Sequence, residues 1–104
     1  METSSASHGA VVVLDVGGGT GALVVHVPEA LLDHELEISP ADTPRSRTHT
    51  LARRRHLPHG TVVAAVFPSL PEGDHTVWGP SGEPMARVHV TSGGVTEVTC
   101  AGTR

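Results

Sequence analysis

Residues 61–99 read TVVAAVFPSLPEGDHTVWGPSGEPMARVHVTSGGVTEVT. Within them TVVAAVF, HTVWG, ARVHV and VTEVT are short apolar segments separated by clusters of Pro, Gly, Ser and Asp. Such segments are too short for packed helices, and their β-branched side chains suit strands. In ARVHV, alternation places Val88 and Val90 on one face and Arg87, His89 and Thr91 on the other. Turn signals recurring every 8–12 residues or so are the pattern of an all-β sandwich or barrel.

Working back toward the N-terminus, the same pattern gives AVVVLDV (10–16), GALVVHV (21–27), HELEIS (34–39) and RTHTLARR (47–54). Leu23, Val25 and Val27 share a face, and Leu36 and Ile38 oppose Glu35, Glu37 and Ser39. Pro28, Pro40, Pro44, Pro58, Pro68, Pro71, Pro80 and Pro84 all fall between these segments, where no ladder N–H is needed. Only EALLDH (29–34), entered from Pro28, could start a helix, of one or two turns at most. The first strand is expected near Ala10, after a polar, disordered tail over residues 1–8. The expectation is one domain, residues 9–101, folded as a seven- to eight-stranded antiparallel sandwich.

Composition narrows the function classes. Fifteen Val and eight Leu face only two aromatics, Phe67 and Trp78, so the core must be built from small and β-branched side chains. Lys, Asn, Gln and Tyr are absent and all seven basic residues are Arg, which reads as the codon bias of a high-GC genome. A net charge of -4 with no broad basic face argues against a nucleic-acid partner. No apolar run is long enough for a spanning helix and METSSASH lacks the features of a leader, so no membrane association and a cytoplasmic address are expected. The single cysteine, Cys100, excludes an intrachain disulfide and fits a reducing compartment.

The 61–99 stretch resembles the C-terminal half of a transthyretin-like domain (prealbumin-like, CNA-B or carboxypeptidase-regulatory type). In that pattern a strand ending in an aromatic leads into a Leu-Pro-x-Gly turn and a Tyr-bearing strand. Phe67 matches the aromatic, Leu70, Pro71 and Gly73 the turn, and Val77 the next inward position, with GGVTEVT as the closing strand. His75 stands where the family usually carries Tyr, and the first half of the chain matches by strand pattern alone, so an immunoglobulin-like arrangement stays open. The resemblance implies a binding, spacing or structural module. The family's enzymatic branch, acting on a urate breakdown product, carries a Tyr-Arg-Gly-Ser ending that this sequence lacks.

VLDVGGGTG (13–21) resembles the first motif of S-adenosylmethionine-dependent methyltransferases, with Glu37 near the distance of a ribose-binding acid. That chemistry needs a helix after the glycines, yet ALVVHVP places β-branched residues and Pro28 there. DVGGGT also resembles the phosphate-binding hairpin of actin-like ATPases, whose site lies between lobes that 104 residues cannot form. The simpler reading is a hairpin whose glycines accept positive φ between Val16 and Ala22, with Asp15 serving the turn. No cofactor is expected.

Eight histidines invite a metal reading, His56 and His59 above all, because imidazole binds zinc, copper or nickel. They are preceded by three arginines that repel a cation and have no carboxylate or thiol nearby in sequence, while His26 and His89 alternate outward. No Gly-x-Ser-x-Gly elbow marks a nucleophile, and Cys100 alternates with Val98 into the core as an inert thiol. RTHTLARRRH (47–56) is the most polar strand candidate. Its charges either guard a sheet edge or, through Arg53, Arg54 and Arg55, dock an acidic partner.

The expected function is therefore a non-enzymatic binding or structural module that engages another protein, with edge-paired homo-oligomers permitted. A histidine-based metal-binding protein is the alternative, and a small hydrolase or methyltransferase-like protein a further one.

Overall fold

The computed structural model describes residues 18–100. The strands run β1 (Thr20–His26), β2 (Glu35–Pro40), β3 (Thr48–Leu51), β4 (Arg53–Leu57), β5 (Gly60–Pro71), β6 (Gly73–Trp78), β7 (Pro84–Val90) and β8 (Val95–Thr99). They form two four-stranded sheets, ordered β4-β5-β1-β8 and β3-β2-β6-β7. The described residues form an all-β sandwich of eight strands. Among the described residues, no helix is long and apolar enough to cross a membrane. The expected tail over 1–8, the strand expected from Ala10 and Ala101 lie outside the described residues.

The core holds Leu23, Val25 and Val27 from β1 and the turn after it, and Leu36 and Ile38 from β2. Val63, Ala65, Phe67 and Leu70 of β5, Val77, Val88 and Val90, and Ala52 and Cys100 belong to it too. Apart from Leu70, each set follows the alternation of its strand, so the apolar pattern drives sheet-on-sheet burial.

Phe67 and Leu70 are both buried although Pro68 and Ser69 separate them, a spacing that points a regular strand's side chains to opposite faces. The ladder explains it. Gly21 pairs Leu70 and Leu23 pairs Phe67, leaving Pro68 and Ser69 together opposite Ala22. This β-bulge restores Leu70 to the core and places Pro68 where no ladder donor is required. The expectation that every proline lies between strands is thus corrected: Pro68 and Pro71 lie within β5, Pro40 ends β2 and Pro84 starts β7.

The polar segment 47–54 also differs from its reading as one strand. It divides at the buried Ala52 into β3 of one sheet and β4 of the other. Ala52 is held by backbone hydrogen bonds with Asp33 and His34 (2.8 and 3.0 Å), and its small side chain lets the chain cross between sheets. The pairing is not antiparallel throughout either, because β1 runs parallel to β8. The short helix is reduced to a single 3-10 turn over Glu29–Leu31.

Ser39 lies opposite Leu36 and Ile38, as the alternation expects, and is nonetheless buried. It lies on the outer face of its sheet beneath Trp78, whose indole Nε1–H donates to Ser39 Oγ at 3.0 Å. The Arg47 guanidinium covers the same ring at 3.8 Å from its centroid and donates to Glu37 at 3.0 Å. Stacking an arginine on an indole suits the planar cation.

Candidate functional site

Register decides where the arginines of β4 point. Arg53 pairs Ala64 and Arg55 pairs Val62, whereas the core residue Val63 pairs Arg54. Arg53 and Arg55 therefore share the outer face of the β4-β5-β1-β8 sheet, and Arg54 projects on the opposite side. There Arg54 is joined to Glu29 of the 3-10 turn by a charge-assisted hydrogen bond. The run that looks like one basic cluster in sequence is split by the pleat into a structural ion pair and two arginines without a carboxylate partner among the described residues.

Most of the other strand-borne charges are already matched. His26 meets Glu97 at 2.8 Å, His89 meets Asp74 at 2.8 Å, His49 meets Glu35 at 3.7 Å and Arg47 meets Glu37 at 3.0 Å. Neither Arg53 nor Arg55 has a carboxylate partner among the described residues. Arg55 instead donates from Nε to the Ala64 carbonyl at 3.3 Å, laying its stem across the sheet. Burial, and then the neighbouring Arg53 charge, lower the Arg55 guanidinium below its ordinary pKa.

The outer face that carries these arginines also holds the His26–Glu97 pair and a set of apolar side chains. Ala22 and Ala64 are buried, Val24, Val62 and Val66 are half-buried, and Val95 is 51% exposed. Ladder pairs Val24 with Val66 and Ala22 with Val95 place them on the face that carries Arg53 and Arg55. Sequence reading missed this strip, although GALVVHV and TVVAAVF contained the signal. A run of consecutive apolar residues means that both faces of a strand are apolar, whereas a half-solvated strand alternates.

The remaining candidates separate in space. His56 lies on β4 with Thr61 Oγ1 at 3.3 Å from its Nδ1, and His59 lies in the exposed turn before β5. No group of three or more His, Cys, Asp or Glu that could hold a metal ion occurs among the described residues. No carboxylate orients the His56 ring among those residues, so the Thr61–His56 contact lacks the third member of a nucleophilic triad.

Gly18 and Gly19 have φ of 63° and 94°, as a glycine turn requires, and lead directly into β1. A cofactor loop would need a helix there; Asp15 and the earlier part of that motif lie outside the described residues. Glu37, the candidate ribose acid, is on β2 of the other sheet and engages Arg47.

Two open grooves are lined by described residues. One, of about 510 Å³, lies between His34, Glu35 and Glu37 and the Gly79–Gly82 turn. The other, of about 280 Å³, is lined by Asp42, Glu72, Asp74 and His75 among others. His75 is buried, and its Nδ1–H donates to the Gly73 carbonyl at 3.0 Å, while its buried Nε2 has no hydrogen-bond partner among the described residues. Cys100 is buried, and burial pushes its thiol pKa up, away from the reactive thiolate.

Comparison with known proteins returns no match to this chain, whether with family models, curated proteins or solved structures.

Proposed function

We propose that this chain is a non-enzymatic binding module of transthyretin-like form that docks an acidic protein partner on the outer face of the β4-β5-β1-β8 sheet. One observation carries the reading: Arg53 and Arg55 stand side by side without a carboxylate partner among the described residues, on a face whose valines run from Val62 and Val66 of β5 through Val24 of β1 to Val95 at the opposite edge. An apolar centre with an arginine margin is the composition of a protein interface, and planar guanidinium groups favour carboxylates. Arg54, engaged with Glu29, belongs to the fold and not to the docking surface.

The test is parallel affinity capture from the native host with wild type, the double variant Arg53→Ser/Arg55→Ser, and Arg54→Ser. A partner retained by wild type and by Arg54→Ser, but lost by the double variant at unchanged melting temperature, supports the proposal. Equal retention by all three chains refutes it.

A further inference from the structure

β4 occupies the end of its sheet and pairs only with β5, so its other side carries backbone donors and acceptors with no ladder partner among the described residues. Such an edge is a template for another strand unless something on it opposes pairing. On β4 what opposes pairing is charge of a single sign: Arg53, Arg54 and Arg55 follow one another, with His56 after them.

This selects among possible strands. A second copy of β4 would bring arginines opposite arginines, and directly opposed like charges destabilise a strand pair. A strand with carboxylates at alternate positions places both beside Arg53 and Arg55 on one face. Its intervening residue lies beside Arg54, whose charge is already met by Glu29, so no third carboxylate is needed.

Resting on the proposed acidic-partner reading, we infer that the partner binds as an extended segment added to the outer edge of β4, its carboxylates two residues apart and aligned with Arg53 and Arg55. Main-chain hydrogen bonds then supply the docking and the paired charges supply the selectivity, which is the division of labour in strand-addition complexes. The same charges keep β4 from pairing with its own copy, in contrast to the edge-paired homo-oligomer that the fold class alone allows.

The experiment titrates the full chain with a short synthetic peptide carrying Val-Glu-Val-Glu-Val, and follows binding by calorimetry and amide hydrogen exchange across Arg53–Leu57. Controls are a peptide with the glutamates adjacent, one with lysines in their place, and an alternating-glutamate peptide with N-methylated backbone amides. The expected result is binding by the alternating acidic peptide alone, weakening with salt, with new exchange protection in β4. Arg53→Gln/Arg55→Gln should weaken it about tenfold or more, the loss of ~1.4 kcal/mol or more of charge pairing, while Arg54→Gln changes it little. Binding that tolerates N-methylation and adds no protection to β4 overturns strand addition but leaves the acidic-partner reading standing. Failure of every acidic peptide to bind, together with arginine-independent capture of the native partner, overturns both.

Discussion

Phe67→Ala and Leu70→Ala together test the bulge that organises the sandwich. An aromatic side chain buries roughly 150–250 Å², which at about 25 cal/mol per Å² gives an upper figure of about 4–6 kcal/mol. Alanine keeps the Cβ, and the unfolded chain already hides part of that surface, so the expected loss for Phe67→Ala is about 3–5 kcal/mol. Leu70→Ala should cost about 2–5 kcal/mol by the same reasoning. Both residues are nearly inaccessible, 3% and 6% exposed. A domain of this size has about 5–15 kcal/mol in total, so each single variant should remain measurable by urea unfolding at low temperature, with a lowered midpoint and an unchanged slope. The diagnostic point is that both losses must be large. In a regular strand one of the pair would face solvent and its replacement would cost less than about 0.5 kcal/mol; that result for either residue refutes the bulge opposite Ala22.

Other consequences are equally accessible. A methyl group on Gly21 would collide with the Thr91 backbone carbonyl, so Gly21→Ala should destabilise by about 1–3 kcal/mol in thermal or urea unfolding. Gly94→Ala, whose new Cβ would meet nothing closer than 3.6 Å, is the control and should stay within about 0.5 kcal/mol of wild type. The His89 hydrogen bond, aided by the charges of His89, Arg87 and His75 against a smaller opposing effect of burial, holds the Asp74 carboxyl below its ordinary pKa. A depressed carboxyl contributes stability that is present above its unfolded pKa and lost as pH falls through the folded one. An NMR titration should therefore find Asp74 titrating low and returning toward the ordinary range in His89→Ala; identical titrations would show that the bond is not formed. Cys100 should resist a thiol reagent at mildly alkaline pH until denaturant is added, and rapid labelling of the native protein would contradict its burial.

What the sequence determined by itself is the all-β class and the inward face of the regular strands. Leu36 and Ile38, Val88 and Val90, and Leu23, Val25 and Val27 lie inward as their alternation requires, because a pleated strand presents alternate side chains to one face. Cys100 is buried in phase with its strand for the same reason. What alternation could not show is any place where one residue more, or one crossing, resets the pleat. The bulge at Pro68 and Ser69 exists only because Gly21 and Leu23 pair across it, and the division of 47–54 at Ala52 depends on two sheets separated in the third dimension. Ser39 illustrates the same limit, since its burial comes from Trp78, which sequence distance hides. The arginines do so most plainly. Arg53, Arg54 and Arg55 are contiguous in sequence, and only the register against Ala64, Val63 and Val62, with Glu29 reaching Arg54, separates a structural ion pair from the two guanidinium groups on the outer face that lack a carboxylate among the described residues. Local pattern fixes which side chains can share a face; pairing partners fix which face it is and what lies beside it.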